Sequence, residues 1–255
     1  MSDTIFMIHG MWGGVWYWEN YVNFFSGKGY RCVTTTLRYH NIAPTDAPDP
    51  RLGTTSLLDY AADLEGEIKA LGKPPIIMGH SMGGLLALML GSRGLGQKLV
   101  LLTPAAPAGI LALTPSVVRS FFSVMTRWNW WNKPMRQTYK EAAYSMLHLF
   151  PEAERRAAYD RFVYESGRAA FEIGFALLDG RKASRVDENQ VTVPRLVIGG
   201  RQDRITPVGS IRKIAKKYNA DYQEFSDHAH WVVGEPGWQD VAEYVAGWLD
   251  EKRDA

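Results

Sequence analysis

The sequence lacks several features that would mark a specialised class of protein. One cysteine in 255 residues, Cys32, excludes an internal disulfide. Arg and Lys number 29 against 27 Asp and Glu, and this balance provides no basic stripe for nucleic acid. No apolar run is long enough to span a membrane, and residues 1–4 have no basic leader character. These absences predict a reduced, cytoplasmic protein without a nucleic-acid partner and without stable membrane insertion.

What the sequence has is apolar content sufficient for one large core and a regular alternation of patterns. Hydrophobic residues make up 46% of the chain. Between the helical patterns, short apolar or β-branched runs predict strands at residues 4–9, 30–35, 76–78, 98–103, 195–198 and 222–225. Ser56 and Asp59 form a capping-box pattern before one helix, and a last amphipathic helix covers 238–249. We therefore expect a doubly wound α/β fold with a mostly parallel sheet of about six strands, with Cys32 as a buried structural thiol.

One stretch interrupts this alternation. Almost ninety residues between the strands ending at 103 and beginning near 193 show only helical patterns, at 115–125, 135–149, 152–166 and 168–178. We interpret residues 107–189 as a helical lid inserted into a core made of residues 1–106 and 190–255. Most aromatic residues there would simply pack between lid and core. A minority is expected to line an apolar substrate pocket, for which the candidates are Trp12, Phe121, Met125, Trp128, Trp131 and Trp231.

Residues 79–84 carry the clearest chemical pattern. They read Gly-His-Ser-Met-Gly-Gly and lie between two apolar runs, where a strand should pass directly into a helix. A nucleophilic serine needs such a tight turn, and glycines at 79 and 83 would let strand and helix pass closely. The pattern predicts Ser81 as the nucleophile, unless the glycines mark only a chance turn.

An activated serine needs a base and an acid, and parallel sheets gather such groups at the carboxyl ends of their strands. Asp203 follows the strand at 195–198 in a Gly-rich turn, although a solvated loop or helix-capping Asp is the alternative. His228 and His230 both follow the last strand and are the candidate bases, with His228 also able to pack the loop beside Asp227. The remaining histidines lie in loops, in the lid, or at strand ends pointing away from a base position: His9, His40, His80 and His148.

Two backbone amides should hold a developing oxyanion. The amide of Met82, directly after the serine, is the first candidate. The amide of Met11 is the second, because it lies in the Gly-rich turn after the first strand.

Together these motifs resemble the α/β-hydrolase superfamily along nearly the whole chain. The matching motifs are His9-Gly10, the segment from Gly79 to Gly84, Gly199 to Asp203, and His230-Trp231 followed by Glu235-Pro236. In that superfamily a Glu and a Pro follow the catalytic histidine, which favours His230 over His228. The resemblance implies a Ser81–Asp203–His230 triad that needs neither metal nor organic cofactor.

The start of the chain resembles the plant methylesterase and hydroxynitrile lyase group. Gly10 and Trp231 stand where the lyases carry threonine and lysine, so cyanohydrin cleavage is not expected. Relatives with an aspartate nucleophile are excluded by Ser81. The resemblance implies a serine carboxylesterase acting on a small hydrophobic ester with an apolar acyl or aryl group, as a monomer or homodimer. The alternatives are a thioesterase, a lactonase, a C–C bond hydrolase, or a slow-turnover small-ligand receptor.

Overall fold

The structure, a computed structural model describing residues 3–252, is centred on a six-stranded parallel sheet. Its strands are β1 (Thr4–Ile8), β2 (Arg31–Thr34), β3 (Ile76–His80), β4 (Lys98–Leu102), β7 (Arg195–Gly200) and β8 (Asp221–Phe225). Two further short strands, β5 (Pro134–Met135) and β6 (Glu165–Ser166), form a separate two-stranded sheet. The order across the large sheet is β2-β1-β3-β4-β7-β8, and every neighbouring pair is parallel. The predicted fold class is therefore confirmed.

Burial along the strands follows their place in the sheet. β3 and β4 are buried over their whole length, as expected for central parallel strands covered on both faces. β2 is an edge strand, so Cys32 is half-buried rather than buried as predicted. Its Sγ lies 3.9 Å from the carbonyl oxygen of Val22.

Helices flank the sheet and fill the segment between β4 and β7. They are α1 (Glu19–Gly27), α2 (Leu57–Ala70), α3 (Met82–Gly91), α4 (Pro115–Ser120), α5 (Phe122–Met125), α6 (Tyr139–Ser145), α7 (Glu152–Asp160), α8 (Gly167–Gly174), α9 (Val208–Lys217) and α10 (Trp238–Glu251). The predicted capping box at the start of α2 is present, with the Asp59 carboxylate 2.9 Å from the amide of Ser56. Within residues 3–252 no helix combines the length and apolarity needed to cross a membrane.

The segment predicted to be an insertion, residues 107–189 (below, the insertion), is less helical than its sequence suggests. The predicted helix 115–125 is broken at Phe121 into α4 and α5, and the predicted helices 135–149 and 168–178 shorten to α6 and α8. The helix predicted over 152–166 ends at Asp160, and β6 follows, paired antiparallel with β5. The expectation that this stretch has no strand was wrong. The side chain of Glu165 in this strand is fully buried, which helical periodicity did not reveal.

Two buried carboxylates of the insertion bind the rest of the protein. Glu165 accepts a hydrogen bond from the Tyr60 hydroxyl at 2.7 Å and lies 3.0 Å from His40 Nε2. Glu172 accepts from the Ser56 hydroxyl at 2.8 Å and from the first amide of α2 at 2.8 Å. The insertion is thus attached to α2 and to the loop after β2 by bonds that solvent does not screen.

Candidate active site

Ser81 lies on a strained turn between β3 and α3. Its φ of 54° and ψ of −119° fall outside the conformations that L-residues usually adopt. A Cβ at Gly79 would overlap the backbone of Gly83, and one at Gly83 would overlap the carbonyl of Ile8. The close passage that the sequence pattern predicted is therefore present, and it leaves room for glycine alone at both positions.

A continuous chain of hydrogen bonds links Ser81 to a histidine and an acid. His230 Nε2 lies 3.0 Å from Ser81 Oγ, and His230 Nδ1 lies 2.7 Å from Asp203 Oδ2. All three side chains are buried. Because Nδ1–H donates to the carboxylate, Nε2 is left as the acceptor that faces the serine hydroxyl.

The carboxylate of Asp203 is saturated with hydrogen bonds. Oδ1 accepts from the amides of Ile205 and Thr206 at 2.7 and 2.8 Å, and Oδ2 also accepts from Thr206 Oγ1 at 2.6 Å. Burial alone would raise the pKa of Asp203, but His230 and the Thr206 donors outweigh it and hold that pKa below its ordinary value. Asp203 therefore caps a turn and also faces the histidine. Sequence reasoning missed Thr206, whose only signal was a threonine three residues after the aspartate.

The main chain of His230 is held by two further side chains, both buried. His80 Nε2–H donates to the carbonyl oxygen of His230 at 2.8 Å, and Thr103 Oγ1 donates to the same oxygen at 2.9 Å. Burial, followed by the nearby His230, lowers the pKa of His80 to about 3, so this ring is a neutral donor. Thr103 has a φ of 43°, which is uncommon for a β-branched residue. We call His80 and Thr103 the carbonyl clamp.

His228, the alternative base, is engaged elsewhere. Its Nδ1 lies 2.9 Å from Glu235 Oε1, which also accepts from the amide of Ala229 at 2.7 Å. This hydrogen bond goes to Glu235 and not to Asp227, the neighbour that the sequence suggested. Glu235 consequently fastens the loop that carries His230.

An apolar cavity adjoins Ser81. It holds about 760 Å³ including the open space at its mouth, and Phe121, Met125, Met11 and Met82 are among its walls. Within residues 3–252 its lining contains no charged side chain. No group of three or more His, Cys, Asp or Glu side chains in that same range is placed to hold a metal ion.

All four tryptophans predicted to line the pocket lie elsewhere. Trp128 is 85% exposed, and Trp130, two residues further on, lines the cavity in its place. Trp131 is half-buried, with its ring 6.1 Å from that of Trp130. Trp12 and Trp231 are buried, and both pack against Phe162, with ring centroids 6.2 and 5.8 Å away. The sequence predicted that some of these tryptophans would line a substrate pocket, but it did not indicate which ring would reach the cavity.

The two amides predicted to bind an oxyanion belong to residues beside the serine. Met82 begins α3, so its N–H has no partner inside the helix. Met11 lies in the turn after β1, where a Cβ at Gly10 would come within 3.0 Å of the Ser81 Cβ. Tyr17 donates to the Met11 carbonyl at 3.0 Å and fixes this turn.

Comparison with known proteins places the chain in a family. Residues 5–244 match the model of the alpha/beta hydrolase family, and the chain belongs to that family. The curated protein ABHD8 from Bos taurus is 24% identical over 222 residues, which cover 84% of this chain and 48% of that protein. The chain therefore spans about half the length of this relative.

Solved structures share the fold at low sequence identity. The methylesterase MES16 from Arabidopsis superposes with a TM-score of 0.71 at 12% identity, over 97% of this chain and 99% of the other. A pyrethroid hydrolase from Sphingobium faniae JZ-2 gives 0.71 at 16% identity, over 100% of both chains. The chain thus belongs to the alpha/beta hydrolase family and shares its fold with a methylesterase and a pyrethroid hydrolase.

Proposed function

We propose that the protein is a serine esterase that cleaves carboxylic esters with an apolar acyl or aryl group. The observation that carries the proposal is the chain from Ser81 through His230 to Asp203, beginning on a strained turn. A serine in this setting has a general base within hydrogen-bond reach, and the base has a charged partner that fixes its tautomer.

The reaction follows from these positions. Ser81 Oγ attacks the acyl carbon while His230 Nε2 takes its proton, and Asp203 stabilises the imidazolium that forms. The amides of Met11 and Met82 hold the oxyanion. His230 then returns the proton to the leaving alcohol, which yields an acyl-enzyme at Ser81. Water, deprotonated by the same histidine, releases the acid.

The preference for an apolar substrate rests on the cavity. Its walls are predominantly hydrophobic and, within the described residues, uncharged, so burying a charged substrate group there would leave that group without a partner. The esterase assignment is also supported by likeness to a methylesterase and to a hydrolase of pyrethroids.

Labelling and turnover test the proposal together. A fluorophosphonate probe should label the wild type and not Ser81→Ala, and p-nitrophenyl esters of increasing acyl length should be hydrolysed. Ser81→Ala should lower kcat by about 10⁴–10⁶-fold. Unlabelled Ser81, or a Ser81→Ala variant that keeps its activity, would refute the proposal.

The same substrate panel separates the alternatives. Thioesters, lactones and vinylogous diketones should be cleaved more slowly than matched esters. Stoichiometric labelling without turnover of any of them would instead indicate a ligand receptor.

A further inference from the structure

We propose that the outward face of the insertion docks on an anionic lipid surface. The outer insertion surface consists of the exposed apolar side chains of Leu111, Val118, Phe122, Trp128, Leu177 and Leu178. This inference does not depend on the proposed esterase activity.

Exposed apolar side chains are concentrated in this one part of the molecule. Within residues 3–252 eight large hydrophobic side chains are exposed, and six of them belong to the insertion. Leu177 is 97% exposed and Trp128 is 85% exposed. Isolated exposed apolar residues are normal, but their concentration in one part of the molecule indicates an interaction site.

The segments that wall the cavity carry apolar side chains both towards the cavity and towards solvent. Val117 and Phe121, four residues apart, line the cavity, while the next residues, Val118 and Phe122, face solvent. Trp130 lines the cavity and Trp128 is exposed. The segments that wall the cavity thus carry a second apolar face on their outer side.

The charge along residues 107–140 of this face is positive, while nearby carboxylates include Glu141, which accepts from the amide and hydroxyl of Ser123, and Asp187 and Glu188 near Leu177. No Asp or Glu occurs from residue 68 to residue 140, whereas residues 107–140 contain Arg119, Arg127, Lys133, Arg136 and Lys140. Arg119, Arg127 and Lys133 are exposed and lie within a few residues of Val118, Phe122 and Trp128 in the sequence. Lys133 Nζ donates to the carbonyl of Trp128 at 3.1 Å, which keeps this cation next to the most exposed aromatic ring.

This combination fits a lipid surface better than a second copy of the chain. A symmetric contact through the face would bring the Arg119, Arg127 and Lys133 of one copy towards those of the other, with Glu141 as the one carboxylate in residues 107–141 to offset them. An anionic membrane supplies the missing negative charge, and tryptophan favours the depth of the lipid headgroups. Docking of this kind leaves the chain outside the membrane interior.

Vesicle sedimentation tests the proposal with the intact protein. Wild type should sediment with vesicles of phosphatidylcholine containing about a quarter phosphatidylglycerol, and much less with phosphatidylcholine alone, since each cation adds about fivefold to affinity for an anionic surface. R127Q/K133Q should therefore weaken binding about 25-fold. W128A/F122A should weaken it about tenfold or more through lost apolar burial.

K213Q/K216Q is the matched control, because it removes two exposed cations from α9 outside the insertion. It should bind like wild type, and circular dichroism should show all variants folded. The proposal is overturned if wild type does not sediment with the anionic vesicles or if the control variant loses as much binding as R127Q/K133Q. It is also overturned if gel filtration shows a dimer that W128A/F122A dissociates, because a second copy would then cover the face.

Discussion

Thr103→Val tests whether the carbonyl clamp positions the histidine that faces Ser81. Valine keeps the β-branched shape that the site holds at a φ of 43°, and it removes only the hydroxyl that donates to the His230 carbonyl. His80 still donates to that oxygen at 2.8 Å, so the carbonyl is not left without a partner. The loss is then one neutral hydrogen bond, about 1 kcal/mol. If that energy orients His230 in the transition state, kcat falls about fivefold with KM unchanged.

The second donor makes the test sharper. His80→Phe removes the other hydrogen bond while keeping a ring, and the His80 Nδ1 lost with it has no hydrogen-bond partner among residues 3–252. Either single substitution should cost about 1 kcal/mol. The double substitution leaves the carbonyl buried and unpaired, which adds about 1–3 kcal/mol beyond the sum.

Steady-state kinetics on a p-nitrophenyl ester, combined with thermal unfolding, gives the readout. Thr103→Ser is the matched control, because it keeps the hydroxyl and should keep kcat. Equal kcat for the valine and serine variants would refute the positioning role, as would single effects that simply add in the double variant. A lower Tm with unchanged kcat would reduce the clamp to a structural contact.

Three further predictions concern the acid, the turn and the insertion. Asp203→Asn should lower kcat about 10⁴-fold at neutral pH, measured by the same kinetics, and a loss below about tenfold would contradict the triad. Gly83→Ala should lower the free energy of unfolding in urea by more than about 4 kcal/mol, whereas Gly66→Ala in α2, where a Cβ meets nothing, should raise it by about 0.5–1 kcal/mol. Glu165→Gln should cost about 3–5 kcal/mol by breaking the buried pair with His40. Burial opposes both charges, but their mutual attraction outweighs it, lowering the pKa of Glu165 from 4.5 and raising that of His40 from 6.5. The difference from wild type should therefore be greatest between pH 4.5 and 6.5, and it should shrink as pH falls through the lowered carboxyl pKa or rises through the raised imidazole pKa.

The parts of the fold that follow from local pattern could be predicted from the sequence. Buried parallel strands are continuous apolar runs, so β3 and β4 were predicted within a residue or two of their bounds. The turn at Ser81 was also predictable, because close backbone approach demands glycine whatever surrounds it. Asp203 and His230 needed one more rule, that polar groups following parallel strands meet at one edge of the sheet.

The buried polar contacts could not be predicted in this way. Glu165 and Glu172 lie on segments whose composition suits an exposed helix, and their partners in the body are more than 100 residues away in sequence. Nothing local distinguishes such a glutamate from a solvated one. The sequence pattern likewise predicts Thr103 only as the end of a strand, because its hydroxyl has a role only once residue 230 lies beside it.

The attachment of the insertion bears on how the cavity selects a substrate. An insertion that swung away as one body would expose the Glu165–His40 pair and free the amide that Glu172 caps at the start of α2. Losing these buried contacts together costs far more than opening a short segment such as α4–α5, which carries no buried ionised side chain. Access to Ser81 is therefore expected through local movement of α4 and α5, while β6 and α8 stay attached and keep the rest of the apolar wall in place.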